Sequence, residues 1–389
     1  MIIQYGRNRM DRIQQILQNA VSSKDLPFAV AVTGNAAGLT WSGAVGEAAK
    51  GHVAEVDTAF RIFSMTKAIG SCAAMILIDR GKLSMNTPVG SILPDWNKLT
   101  VLDGWNGDIP VLRFPRTTAT IRHLATHTSG LEYELYNKDV SKYLKVTGNP
   151  SILSGRKSAL IGYPLTSDPG TRWGYGIGID WLGQVVEAVD GRRIDHFCAE
   201  EIFQPLGMFN THFETDDLMG QLATVYQRGE DGDFTPFELS PPAQPEIYGM
   251  GHALYSTATD YLNFLRMLLN RGQLDGNRIL SETAIDQLLA NQMQSKTFRS
   301  MHTVAPLITA NVEMAEGTSH SFACIRTESD QQGKRRSGSQ SWAGVCNTHF
   351  WADPASDIAA VIMTQSLPFM EPRFLKTYEA FEFAVYQTR

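Results

Sequence analysis

The chain has 389 residues, 43% of them hydrophobic and 19% charged, a composition suited to one large globular unit or two closely joined ones with a substantial core. A net charge of −6 with no dense basic stripe excludes a typical nucleic-acid binder. No run of about 18 apolar residues offers a membrane span, and no apolar segment of about 7–15 residues follows the first charges as in a signal peptide, so a cytoplasmic location is the expectation.

Residues 11–21 place Ile13, Ile16, Leu17 and Ala20 at helical spacing. Residues 28–33 and 39–45 read as strands joined by a turn at Gly34-Asn35. Residues 58–63 lead into an apolar helix over 65–80, which ends at Gly81. The stretch 84–118, rich in Pro, Gly and Trp, reads as irregular. From 119 to 290 the pattern is mainly helical, with helices predicted over 121–126, 177–189, 194–202, 257–269 and 281–290. Loops rich in Pro and Gly fill 145–172 and 229–249. Strands return over 320–327, 339–345, 348–352 and 358–365, and 372–386 closes the chain as a helix.

The short spacing of the late strands predicts an antiparallel sheet. The expected fold class is therefore α+β, an antiparallel sheet flanked by helices plus a mainly helical lobe. Residues 1–83 and about 319–389 would build the sheet lobe, and about 84–318 the helical lobe. A site is expected in the cleft between them.

Four cysteines, Cys72, Cys198, Cys324 and Cys346, are widely spaced and form no CxxC pair. They predict buried free thiols rather than a zinc site or a disulfide framework. His123 and His127 are four residues apart, but Leu124 stands where HExxH has its glutamate, so they read as packing histidines. No metal or organic cofactor is implied. Lys334-Arg335-Arg336, between Gly333 and Gly338, reads as a hairpin tip rather than a phosphate track.

Chemistry concentrates at Ser64-Met65-Thr66-Lys67. Ser-x-x-Lys is a weak motif by its letters, and a second copy stands at Ser154-Gly155-Arg156-Lys157. Context separates the two. Ser64 lies where a strand-like run meets a helix whose first three turns carry one charge, Lys67. A helix apolar all round is a core helix, and residues three apart share a face. Burial and the positive end of the helix both favour a neutral lysine amine, which accepts a proton. Free N–H groups in the first turn suit an oxyanion. Ser154 sits in a loop and reads as a surface coincidence. No Gly-x-Ser-x-Gly occurs, which disfavours a nucleophile elbow.

Several segments together resemble one family, the class C β-lactamases and their esterase relatives, the family VIII carboxylesterases. Ser64-Met65-Thr66-Lys67 matches the first motif. The run from Arg122 to Leu131, RHLATHTSGL, resembles the stretch before the family's helical lobe. Asp168-Pro169-Gly170-Thr171-Arg172-Trp173-Gly174-Tyr175-Gly176-Ile177 resembles the segment that carries the second motif. Pro205-Leu206-Gly207-Met208 and Ser256-Thr257-Ala258-Thr259-Asp260 follow in order. Ser341-Trp342-Ala343-Gly344-Val345 lies at the third motif, which is Lys-Thr-Gly in lactamases and Trp-Gly-Gly in many esterases. The resemblance spans about residues 11–386.

The resemblance implies that Ser64 is acylated, that Lys67 takes its proton, and that Tyr175 is a second proton carrier, with its phenolate supported by Lys67. It implies an oxyanion hole from the main-chain N–H groups of Ser64 and Val345. Ile177, Trp342, Ala343 and Gly344 would contact substrate. Ile177 replaces the Asn of the lactamase second motif, and Trp342 replaces the Lys of the third. Both changes remove polar handles for a β-lactam and add apolar wall. The expected substrate is therefore a small-molecule ester, with a short acyl chain. The alternatives are a β-lactamase or D-amino-acid amidase, an acyltransferase on the same scaffold, as in the fungal statin-side-chain acyltransferases, and a binding module without turnover.

Overall fold

Alternation along the strands decides which face of the sheet meets which helix. The computed structural model describes residues 2–387 apart from 219, 294, 295, 297 and 323. Strands β1 (Phe28–Gly34), β2 (Leu39–Ala49) and β3 (His52–Val53) come early in the chain. Strands β4 (Thr318–His320), β5 (Ile325–Thr327), β6 (Gln340–Gly344), β7 (Thr348–Asp353) and β8 (Ile358–Met363) come late. They form one antiparallel sheet in the order β4-β5-β6-β7-β8-β1-β2-β3. Early and late segments meet where β1 pairs with β8, in the register Val30↔Met363 and Val32↔Val361.

The helices that frame the site are α1 (Ile2–Ser22), α2 (Thr66–Asp79), α3 (Gly178–Asp190), α4 (Ala258–Leu269) and α5 (Pro372–Tyr386). Ala29, Ala31, Trp351, Ala360 and Ile362 form one face of the sheet and cluster with Leu17 of α1 and with Phe374 and Phe381 of α5. One residue along, Val30, Val32, Phe350, Val361 and Met363 form the other face and join the core that contains α2 and α4. The period of two in the sequence thus sorts two cores. Helix α2 is buried at every position from Thr66 to Leu77, as its all-round apolar surface requires.

Three local expectations change. Residues 320–327 are not one strand but the hairpin β4–β5, closed where Ser321 N donates to Cys324 O at 2.8 Å and Cys324 N donates to Ser321 Oγ at 3.2 Å. (Residue 323 of that stretch lies outside the described residues.) The stretch 84–118 contains a ribbon of Val101–Asn106 against Ile109–Arg113, whose register shift between Leu102 and Gly104 hides the alternation. A helix over Lys138–Thr147 buries little beyond Val140 and Leu144, so its apolar stripe is thin. Its cap is clear, with Asn137 accepting from the N–H groups of Asp139 and Val140.

All four cysteines are buried and free. Among the described residues no helix is long and apolar enough to cross a membrane. Of the basic cluster, Arg336 is exposed, Lys334 is half-buried and Arg335 turns inward. Its guanidinium binds both carboxylate oxygens of Glu382, at 2.7 and 3.3 Å, and donates to Tyr378 OH at 3.0 Å. This pair ties the β5–β6 connection to α5. Breaking a buried ion pair from one side strands the other charge. Arg335→Ala is therefore expected to lower the unfolding free energy by about 3–5 kcal/mol, read from the urea midpoint.

Candidate active site

Two short strands, Ala59–Arg61 and Tyr255–Thr257, pair antiparallel and bring two turns together. The first turn carries Ser64, the second Gly251 and His252. Phe63, next to the serine, has φ +39°, a left-handed conformation uncommon for a bulky residue. Such conformations cost free energy and persist where the surroundings impose them. Here the constraint is the approach of β6. A Cβ placed on Gly344 would lie 2.3 Å from Ile62 O, so only glycine lets the strand come this close to the turn.

Ser64 then enters a single 3₁₀ turn that runs into α2. Lys67 follows one turn later with 0% exposure. Its Nζ lies 3.1 Å from Ser64 Oγ, 3.1 Å from Tyr133 OH and 2.7 Å from Gly251 O. Burial pushes the Lys67 pKa down to about 7, against an opposing pull from Asp180. A neutral amine has two protons and one lone pair. Gly251 O and Tyr133 OH accept the two protons, which leaves the lone pair for the Ser64 hydroxyl.

Tyr175 OH donates to Ser64 Oγ at 2.7 Å from the other side. Burial raises its pKa above the usual phenol value, and its interaction with Ser64 opposes this only in part. Tyr175 is therefore a protonated donor at rest. Support of a phenolate by Lys67 would then apply only after Tyr175 has given up its proton, when Lys67 is an ammonium.

Trp342 projects from β6 toward the same point, its ring 5.4 Å from that of Tyr175. Ala343 and Val345 also line the cleft. Ser64, Tyr175, Trp342, Ala343 and Val345 thus share one cavity of about 420 Å³. Two of the residues expected to contact substrate stand off the cleft lining. Ile177 has 0% exposure, caps α3 and packs in the core, outside the cleft lining. Gly344 also stays off the lining, with its open face against the Ile62 carbonyl.

Three residues at the site were not singled out from the sequence. Tyr133 N donates to Tyr175 O at 3.0 Å, which sets the two phenols side by side. Gly176 makes this possible, because a Cβ there would sit 2.2 Å from Leu131 O. Asp180, buried on α3, accepts from Gly251 N at 2.9 Å and lies 3.2 Å from His252 Nδ1. It thereby fixes the turn whose carbonyl meets Lys67. The only available signals were Tyr133 two residues beyond the RHLATHTSGL run and Asp180 as an acid on an otherwise apolar helix face.

The two expected packing histidines have separate roles. His123 Nδ1 accepts from Thr120 N at the start of a short helix. His127 lies past that helix with φ +53° and packs 4.9 Å from the Tyr175 ring. Its Nδ1 accepts from Gly176 N at 3.5 Å, so Nε2 carries its proton. His320 on β4 donates from Nδ1 to Ser321 O at 2.7 Å, which leaves Nε2 as an acceptor. The two rings stand 5.3 Å apart and nearly perpendicular beneath Tyr175 and Trp342. Burial lowers both pKa values, that of His320 to about 4, so both stay neutral at pH 7. The second Ser-x-x-Lys lies elsewhere, Ser154 in a 3₁₀ turn and Lys157 exposed.

Comparison with known proteins shows what the chain as a whole is similar to. The Beta-lactamase family profile matches residues 13–384. The monacolin J acid methylbutanoyltransferase of Aspergillus terreus is 26% identical over 399 residues, covering 96% of this chain and 95% of the relative. The lovastatin esterase of Penicillium rubens is 26% identical over 328 residues, covering 80% and 81%. The structure of a mutant simvastatin synthase (LovD) from Aspergillus terreus superposes with a TM-score of 0.83 at 26% identity, covering 96% of each chain.

The depressed lysine pKa has a consequence for stability. The unfolded chain holds a proton on Lys67 up to about 10.5, the folded chain only up to about 7. Between those values the unfolded state binds more protons, so stability rises with pH. The full window is worth on the order of 5 kcal/mol. Lys67→Met removes this dependence. Its unfolding free energy relative to the wild type is expected to be most favourable near pH 7 and to fall steadily toward pH 10 in urea titrations. A difference that is flat with pH would mean the folded lysine titrates normally.

Proposed function

The chain belongs to the β-lactamase family and has the penicillin-binding-protein-like fold, and within this family of serine hydrolases and acyltransferases we propose that it is a serine carboxylesterase acting on small-molecule esters. The reading rests on Ser64 Oγ, held between Tyr175 OH at 2.7 Å and the buried Lys67 Nζ at 3.1 Å. Ser64 Oγ attacks the ester carbonyl carbon while Lys67 takes its proton. The main-chain N–H groups of Ser64 and Val345 receive the oxyanion. Tyr175 gives its proton to the departing alkoxide, and the new Lys67 ammonium supports the phenolate until it returns a proton. Water then loses a proton to the same pair, attacks the acyl group on Ser64 and releases the acid.

The ester preference has two supports. Ile177, at the place of the lactamase amide, is turned into the core. Trp342, at the place of the lactamase lysine, presents an indole. Neither offers the charge or amide that a β-lactam's carboxylate and side-chain amide would use. A relative named as an esterase supports the same class.

Acyl transfer is the second reading. The cleft is walled by Phe63, Leu135, Ile152, Met301, Met314 and Phe369, among others. Such walls favour an apolar alcohol over water as the species that attacks the acyl group. A relative named as a methylbutanoyltransferase supports this reading.

Nitrophenyl esters of two to eight carbons and a chromogenic cephalosporin, assayed side by side, test the proposal. The esters are expected to turn over, and Ser64→Ala to lower kcat/KM by about 1000-fold or more. The cephalosporin is expected to lag the best ester by well over tenfold. A gap within about tenfold, roughly 1.4 kcal/mol, contradicts the ester preference. Added butanol that diverts the acyl group into butyl ester marks transfer.

A further inference from the structure

The cavity that contains Ser64 does not end at the cleft. Among the described residues, strand β5 pairs with β6 only at Ile325↔Ser341 and Arg326↔Gln340, and no described residue of β5 pairs with β6 from Trp342 onward. Trp342 lies opposite Phe350, on the face that holds Ser64 and Tyr175. Ala343 lies opposite His349, on the face that meets α5. Residues of both faces line the same cavity, which therefore crosses the edge of β6. A polypeptide strap roofs this second arm. Met301 and Val312 pair across it, Val304 N donates to Leu135 O at 2.9 Å, and Ala310 N donates to Phe369 O at 2.8 Å. The strap thus joins the Tyr133 side of the cleft to the segment before α5.

The arm's walls are mainly apolar and adaptable, with Met301, Met314, Met370, Phe369 and Leu375, and Glu134, Glu313, Lys334 and Glu379 also line the cavity. Methionine, unbranched and flexible, moulds to varied ligand shapes. His349 on that wall is uncharged at pH 7. His349 stacks on Phe374 at 4.6 Å and on Phe369 at 5.8 Å, and burial keeps its pKa down to about 3. Arg335 at the end of the arm is neutralised by Glu382. Packed interiors leave few voids this large unless something enters them.

From this continuity we infer that the arm binds an extended, uncharged apolar chain of the substrate, carried past the edge of β6 while its ester lies at Ser64. The inference rests on the esterase reading above and replaces the expectation of a uniformly small substrate. The chain belongs to either the acid or the alcohol part of the ester, and two substrate series separate these.

In the first series, nitrophenyl esters of straight-chain acids lengthen from two to ten carbons. In the second, butyrate esters of straight-chain alcohols lengthen likewise, with release of butyric acid followed by titration. Wild-type kcat/KM is expected to rise at least tenfold from the shortest to the best chain in one series, and to fall back when that chain ends in a carboxylate. Leu375→Trp, which fills the arm, is expected to bring the ratio of long- to short-chain kcat/KM back toward one. That ratio is read within one preparation, so the fraction of folded protein does not enter it. Flat or falling profiles in both series, or an unchanged ratio in Leu375→Trp, overturn the inference. Failure of the wild type on every ester, the shortest included, would instead overturn the esterase reading.

Discussion

A lysine side chain with no exposed surface is a liability that the rest of the molecule has to answer. Desolvating an ammonium costs several kcal/mol unless it is paired, and a lysine escapes the cost by shedding its proton. Lys67 has no carboxylate in contact, only the hydroxyls of Ser64 and Tyr133 and the carbonyl of Gly251. Asp180 acts at one remove, through the turn that it anchors. The arrangement therefore holds the amine without restoring its full charge. The all-apolar helix α2, the glycine at the closest approach of β6 and the glycine beside Tyr175 all keep water from the amine.

The same dryness shapes what the cleft accepts. An apolar wall adds little for a charged, amide-bearing substrate and much for an ester. On the proposed reading, hydrolysis and acyl transfer are two outcomes of one acyl-enzyme, decided by whether water or an apolar alcohol enters the cleft. The neutral pair of His127 and His320 extends the effect beneath Tyr175, because aromatic and uncharged groups surround the phenol on that side.

Much of this was legible in the sequence where periodicity or motif spacing carries information. The burial of α2, the i, i+3 placement of Ser64 and Lys67, and the late antiparallel strands follow from apolar pattern alone. Tyr175 needed the family resemblance, since nothing in its neighbourhood distinguishes it from a packing tyrosine. Tyr133, Asp180 and His252 stayed hidden because they reach the site from turns and a helix face brought together only by tertiary packing. Ile177 and Gly344 sit within the matched motifs but face away from the cleft, for motif letters fix order along the chain and not direction. The sign of the Tyr175 shift was likewise beyond reach, because it depends on burial that only the folded chain reveals.

The central claim is that Lys67 is poised near neutrality inside the fold. Protein labelled with carbon-13 at the lysine Cε positions, with Lys67 assigned from the signal missing in Lys67→Met, can be titrated by NMR. A Lys67 signal that titrates with a midpoint near 7 is the predicted result. A midpoint at or above the ordinary 10.5 would show an ammonium held in the site, and the proton path through Ser64 would then have to be rebuilt.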